Sequence, residues 1–267
     1  MGAQTRTAGE NKPAGADASA IVEAALTVLR AYKMDAVADL AATKLSRDRQ
    51  ARTVVVVGEV QRGKSSLINA LVGRRDLCPV GVEVTSSTAV SVTVDSALDV
   101  DEAAELFFPS GTQRHVEVGE LAQWVTTDGE QVLDPQVDEL PTSAAIAIRT
   151  ARVADVTLVD TPGVGGLDVG LAKLASQSAQ QACVLVLVCD ASSPLTAPEM
   201  AFVREASSTV DSVVVVVTKT DKNLRKWREI VAEDERLISR EIGRPFPVFG
   251  VSSLLASIAA ELPDTAE

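Results

Sequence analysis

A chain of 267 residues, 46% hydrophobic and 23% charged, has room for one large domain or two small ones around a sizeable core. Aromatic residues make up 3%, so that core must be aliphatic, and a formal net charge of −12 argues against a free-standing nucleic-acid binder and a polybasic membrane-surface domain. Three cysteines and one histidine, His115, exclude a disulfide framework, a Cys/His metal cluster and a hydrolase triad.

Residues 1–17 are small and polar without periodicity and read as a disordered tail. They carry no apolar signal-peptide core, and Arg6 stands where a myristoylation signal needs Ser or Thr. From Ala18, the spacing of Val22, Ala25, Leu26, Leu29 and Tyr32 predicts a helix. A break follows near Lys33–Asp35, then a second stretch with Val37, Leu40, Ala41 and Leu45 on one side.

From Arg52, β-branched runs alternate with helical stretches. The predicted strands are Thr53–Val57, Ala89–Val94, Ala144–Ile148, Val156–Asp160, Cys183–Cys189, Ser212–Thr218 and Pro247–Val251. The predicted helices are Lys64–Val72, Leu167–Gln181, Ala197–Ser207, Asn223–Arg240 and Ser253–Ala260. This alternation means an α/β fold with a mostly parallel sheet and helices on both faces. Cys183 and Cys189 sit in an apolar run and read as small buried hydrophobes; reduced thiols fit a cytoplasmic location. Residues 95–142 are acidic and hold Pro109, Pro135 and Pro141, the composition of an insertion between early strands. No segment approaches 18 consecutive apolar residues.

After the first strand comes Gly58-Glu-Val60-Gln61-Arg62-Gly63-Lys64-Ser65-Ser66, a match to G-x-x-x-x-G-K-[ST]. Glycines let such a loop curl around phosphate oxygens, and its N–H groups and the following helix N-terminus favour the anion. Lys64 would reach the β- and γ-phosphates, and the Ser65 hydroxyl would bind Mg²⁺.

The strand Val156–Asp160 ends in Asp160-Thr-Pro-Gly163, a D-x-x-G pattern. Asp160 at a strand end can hold the Mg²⁺ shell, and the Gly163 N–H can sense a γ-phosphate. Val213–Val217 leads into Thr218-Lys219-Thr-Asp221, a match to [NT]-K-x-D. One carboxylate there accepts from guanine N1–H and the 2-amino group, while the Lys219 stem packs on the base; adenine offers neither donor. The last strand ends at Gly250-Val-Ser252-Ser253, whose N–H groups could meet the guanine carbonyl, with Ser253 also placed to cap the next helix. A switch threonine is expected between the P-loop and the second strand; Thr85 is preferred and Thr88 is the alternative. Four motifs in this order, each at a strand end, read as a guanine-nucleotide site for GTP or GDP on the C-terminal edge of the sheet. Val164 stands where Ras-like enzymes place a water-orienting Gln, so another group must act there.

Val159–Leu167, Thr196–Arg204, Thr218–Asp221, Trp227–Val231 and Val251–Leu255 together resemble the dynamin superfamily, and within it the isoniazid-inducible dynamin-like proteins of mycobacteria and related actinobacteria. The resemblance covers roughly residues 50–260. It implies GTP hydrolysis stimulated by homodimerisation across the nucleotide face, coupled through a helical stalk to membrane remodelling. It also implies a domain plan: a helical bundle segment at 18–50, a GTPase domain at 51–253, and a C-terminal helix at 254–267 that restarts the bundle and packs on the first helix. On this reading the stalk and any membrane contact belong to a region beyond this chain, which would be cytoplasmic and peripheral at the cell membrane in the full-length protein. Animal dynamins carry Gln and Ser at the places of Val60 and Gln61, so the departure leaves their charge-compensating monovalent cation open. Gln61, or Arg62 in cis, is the expected substitute, and the expected catalytic set is Lys64, Thr85, Gln61 and Gly163. The competing readings are a monomeric switch GTPase of the ribosome-assembly type, which a basic extension and Asn-Lys-x-Asp would mark, and a regulatory remnant that binds nucleotide without turnover. The acidic charge and Thr218 oppose the first; Lys64, Ser65 and Asp160 oppose the second.

Overall fold

The β-branched runs assemble into one nine-stranded sheet of order β4-β3-β5-β2-β6-β1-β7-β8-β9. Its strands are β1 Thr53–Val57, β2 Ala89–Val94, β3 Ala103–Phe107, β4 Gln113–Val116, β5 Ser143–Ile148, β6 Val156–Asp160, β7 Val184–Asp190, β8 Ser212–Thr218 and β9 Val248–Gly250. The computed structural model describes residues 18–35, 37–38, 52–80, 88–95, 98, 103–153, 155–162, 183–210 and 212–261. It divides into two units, Met1–Gln50 and Ala51–Glu267.

In the first unit, helix α1 spans Ala18–Ala31 and stops where Lys33 takes a left-handed φ of 59°. Most of the second expected helical stretch, and the tail at 1–17, lie outside the described residues.

In the second unit, β6, β1, β7, β8 and β9 run parallel, each in register with its neighbour. Such strands are apolar along their whole length because both faces are covered. Val55 and Val57 of β1 point into one core with Leu185, Leu187, Val213, Val215 and Val217. Val56 points into the opposite core with Val186, Val188 and Val216. Helix α2, Lys64–Val72, sends Leu67, Ile68 and Val72 into the second of these cores. Helices α5, Ala197–Thr209, and α6, Trp227–Ile242, cover the first with Phe202, Val203, Ile230 and Ile238.

Helix α5 starts on a reciprocal capping box: Thr196 accepts from the Glu199 N–H, and the Glu199 carboxylate accepts from the Thr196 N–H at 2.8 Å. Helix α6 begins at Trp227 rather than at Asn223, because Thr220–Asn223 closes into a 3₁₀ turn and the chain stays in turn conformation up to the helix. The last helix, α7, spans Ser253–Glu261, and its Leu254, Leu255 and Ile258 are exposed. The helix expected at Leu167–Gln181 lies outside the described residues.

The stretch read as an insertion carries structure of its own. Strands β3 and β4 pair antiparallel as a hairpin, turned at Gly111 with φ 83°, and β3 adds antiparallel to β5. Two short helices follow, α3 Leu121–Val125 and α4 Glu130–Leu133. Trp124 meets Phe108 edge to face at 6.0 Å, and the Arg114 guanidinium lies 4.8 Å over the Trp124 ring. Among the described residues no helix is long and apolar enough to cross a membrane.

Candidate nucleotide site

Because β6, β1, β7, β8 and β9 are parallel, their C-terminal ends share one edge, and the motif residues collect there. The loop after β1 leaves the sheet at Gly58. A Cβ at Gly58 would stand 2.4 Å from the Val188 carbonyl oxygen on β7, so only glycine lets the chain pass. The loop then curls through left-handed conformations at Gln61 (φ 60°) and Gly63 (φ 94°) before α2 begins at Lys64. For a glutamine such a backbone costs on the order of 1 kcal/mol or more, and persists where neighbours fix it.

The neighbours are residues of β8 and the turn after it. The Thr218 hydroxyl donates to the Arg62 carbonyl at 2.5 Å and to the Cys189 carbonyl at 3.0 Å. The Lys219 ammonium donates to the Gln61 carbonyl at 2.5 Å. Lys219 is itself left-handed, with φ 56°. Val60 and Ser66 are half-buried in the loop and the first helical turn, and the Gln61 side chain is exposed.

Lys64 is buried, and its ammonium donates to the carbonyls of Gly58 at 3.1 Å and Glu59 at 2.9 Å. Burial lowers its pKa, and the nearby Asp160 carboxylate opposes that shift. Asp160 closes β6 and is 1% exposed. Its Oδ2 accepts from the Ser65 hydroxyl at 2.5 Å, while its buried Oδ1 has no hydrogen-bond partner among the described residues. Burial raises this carboxyl to about 6, against the pull of the Ser65 hydrogen bond and the Lys64 charge. A buried carboxylate with an unsatisfied oxygen beside a hydroxyl is a hard-oxygen donor set, and it fits Mg²⁺. The next residue, Thr161, donates through its hydroxyl to the Val56 carbonyl at 2.8 Å and ties the exit of β6 to β1.

In the Thr218–Asp221 motif, Asp221 is half-buried and its Oδ1 accepts from the Ser252 hydroxyl at 2.6 Å. The Thr220 N–H donates to the Val251 carbonyl at 3.2 Å, which joins the β8 and β9 loops. The capping role expected of Ser253 belongs to Ser252, whose hydroxyl oxygen accepts from the Leu255 N–H at 3.1 Å. The helix starts one residue earlier than that expectation requires, so Ser253 is its first residue, and its buried hydroxyl has no hydrogen-bond partner among the described residues.

Thr88, the alternative switch threonine, is buried at the start of β2 and donates to the Pro141 carbonyl at 3.1 Å. Thr85 and Gly163 lie outside the described residues. Cys183 is half-buried rather than buried, since it precedes β7 at the sheet's opposite edge.

Reading the motifs alone misses several residues of this edge. Asp190 ends β7 between the P-loop and the base motif; an acid closing a fully apolar strand at the ligand edge is the signal that could have found it. Glu59 pairs with Arg62 at 2.6 Å, and Arg62 in turn reaches Asp190 at 3.0 Å. Asn69 on α2 binds the carbonyls of Arg75 and Cys78 and accepts from the Cys78 N–H at 2.8 Å, which fixes the chain leaving α2.

The sequence matches the family model described as Dynamin family over residues 54–220. It is 32% identical over 229 residues to the isoniazid-induced protein IniA of Mycobacterium tuberculosis, covering 83% of this chain and 34% of that protein. It is 27% identical over 221 residues to a probable transmembrane GTPase, FZO-like and chloroplastic, of Arabidopsis thaliana, covering 80% of this chain and 21% of that one. The chain thus spans about a third or less of the length of these two relatives. Among solved structures, an oligomerised bacterial dynamin pair, described as a mechanism for long-range sensing and tethering of membranes, superposes with a TM-score of 0.58 at 15% identity. That match covers 81% of this chain and 33% of the other, and shows a shared fold. With the family model spanning more than half of its residues, the chain belongs to the dynamin family.

Proposed function

We propose that this chain is the GTPase domain of a bacterial dynamin-like protein, binding GTP and hydrolysing it by water attack on the γ-phosphate. The observation that carries the reading is the joining of two half-sites on one sheet edge. Ser65 and Asp160 meet at 2.5 Å on the phosphate side, while Lys219 of the guanine-reading motif is bonded to the Gln61 carbonyl at 2.5 Å.

In this reading, loop N–H groups and the α2 N-terminus bind the phosphates, and Lys64 exchanges its carbonyl partners for phosphate oxygens. Ser65 and Asp160 would hold Mg²⁺, and Thr85 is the threonine proposed for the same ion. When bound, the ion neutralises charge on the phosphate oxygens. Asp221, held by Ser252, accepts from guanine. Gln61 is the candidate for orienting water, since its backbone is pinned and its side chain faces solvent. Arg62 is occupied by Glu59 and Asp190, which favours Gln61 over a cis arginine.

The domain plan follows the same reading: a bundle segment at 18–50, the GTPase domain at 51–253 and a returning helix at 254–267. Homodimerisation across the nucleotide and peripheral membrane action of a longer protein are part of it, in line with the membrane-tethering relative. The deciding measurement is GTP turnover per molecule against protein concentration, with ATP as control. Specific activity that rises with concentration supports a dimeric catalytic unit. Flat, slow turnover removes dimerisation from the reading, and ATP hydrolysed as fast as GTP overturns the role of Asp221.

A further inference from the structure

The Asp190 carboxylate joins three loops. Its Oδ1 meets the Arg62 guanidinium at 3.0 Å, from the P-loop. Its Oδ2 lies 3.5 Å from the Lys219 ammonium, from the base-reading turn. The Ser192 N–H donates to Oδ1 at 3.1 Å, from the turn after β7 itself. Arg62 is held from its other side by Glu59 at 2.6 Å. Two carboxylates therefore balance two cations. The side chains of Asp190, Arg62 and Lys219 are 14%, 20% and 31% exposed, so solvent screens them less than a surface pair. Burial opposes charge on Asp190, yet the Ser192 hydrogen bonds and the two cations hold its carboxyl below the usual range.

The geometry gives this network a task. Lys219 sits in a left-handed conformation that its side chain must help to hold. Its ammonium is gripped at two points, the Gln61 carbonyl and Asp190. A lysine fixed at both its backbone and its tip has an immobile hydrocarbon stem. Resting on the guanine-nucleotide reading above, we propose that Asp190 is a positioning residue for the base: it fixes the Lys219 stem as the shelf on which the guanine ring packs. Arg62 and Glu59 hold Asp190 in place for that task. Nucleotide affinity then depends on a residue that touches no part of the nucleotide.

The test is a double-mutant cycle on the whole chain, read by binding of a fluorescent GDP. Asp190→Asn keeps the shape and removes the charge, and Lys219→Ala removes the shelf. Asp190→Asn is expected to weaken GDP binding about tenfold in the parent, about 1.4 kcal/mol, and less than about twofold once Lys219 is alanine. Asp190→Glu should recover part of the loss, and it supplies a readable variant if the asparagine protein does not fold. Equal losses in the parent and Lys219→Ala backgrounds would mean that Asp190 acts elsewhere, and the proposal is overturned. GDP binding unchanged by Asp190→Asn overturns it as well. If the parent binds no GDP, the nucleotide reading itself has failed. If the parent binds and Lys219→Ala weakens it while Asp190→Asn does not, only the present proposal falls.

Discussion

Ser65 and Asp160 are 95 residues apart in the chain and 2.5 Å apart in the fold, hydroxyl to carboxylate. The contact exists because β1 and β6 are parallel neighbours: Val56 pairs with Asp160, so the acid sits level with the start of the P-loop. Next to this hydrogen bond, the buried Oδ1 of Asp160 has no hydrogen-bond partner among the described residues, which supports the proposed cation site.

Removing the hydroxyl tests that site. Ser65→Ala should lower Mg²⁺-dependent GTP turnover by about 10²-fold or more, as expected for losing a ligand that stabilises transition-state charge. GDP binding without Mg²⁺ should change by a few-fold only. Phosphate release at graded Mg²⁺ concentrations measures the first and fluorescence titration the second.

Asp221 gives a test of base identity. Asp221→Asn replaces an acceptor oxygen by a donor, which suits the 2-oxo group of xanthine and not the 2-amino group of guanine. Guanosine diphosphate affinity should fall by about 10²-fold or more, and xanthosine diphosphate affinity should rise above it. Competition between the two nucleotides reads the outcome; continued preference for guanine would remove Asp221 from the base subsite.

A second buried acid gives a pH test away from the nucleotide. Asp234 on α6 is 0% exposed; its Oδ1 accepts from the Leu195 N–H at 2.7 Å, and its Oδ2 has no hydrogen-bond partner among the described residues. Burial raises its carboxyl to about 6, with Glu199 and Glu233 adding to the shift. A raised carboxyl binds its proton more tightly folded than unfolded. The buried charge therefore costs stability above pH 6, and the cost disappears as the pH falls from about 6 toward the unfolded value near 4. Asp234→Asn keeps an acceptor for Leu195 and should stabilise the protein at pH 8, by on the order of 3 kcal/mol at most, and not at pH 4. Urea unfolding of both proteins at the two pH values checks this; a pH-independent difference contradicts it.

Gly58 gives the steric counterpart. An alanine Cβ would press to 2.4 Å from the Val188 carbonyl oxygen, a backbone atom that cannot swing aside. Gly58→Ala should cost about 1–3 kcal/mol in stability and displace the P-loop enough to abolish measurable GTP binding. Melting curves and nucleotide titration read the two effects separately.

What the sequence made legible follows the strength of local signals. β1, β2, β6 and β8 stand on the predicted residues, because runs such as Val213–Val217 have no alternative use than a strand covered on both faces. β3 and β4 were not legible. Ala-Ala-Glu-Leu-Phe carries weak strand preference, and Gln-Arg-His-Val on the edge has no apolar alternation; β3 forms by pairing to β5, and β4 by pairing to β3. The early helix expected from Asn223 failed for a related reason, since the 3₁₀ turn at Thr220–Asn223 and the turn that follows it keep the chain out of helix until Trp227. In the site, the residues that the motifs specify were readable from fixed spacing, whereas Asp190 belongs to no motif, Glu59 fills a variable position of the P-loop, and both are recognised through their partners.

The polarity of β7 has a practical consequence. The strand carries Asp190 at its ligand end and is preceded by Cys183 at the other, a span of about 23 Å at strand rise. Cys78 and Cys189 are buried, and burial raises both thiols, so neither offers a ready thiolate. Cys183 is partly exposed, and its N–H is anchored to the Thr53 carbonyl at 2.9 Å. A maleimide dye would therefore attach by preference at Cys183, on the far rim of the sheet. From there it can report energy transfer to a fluorescent nucleotide without any engineered cysteine.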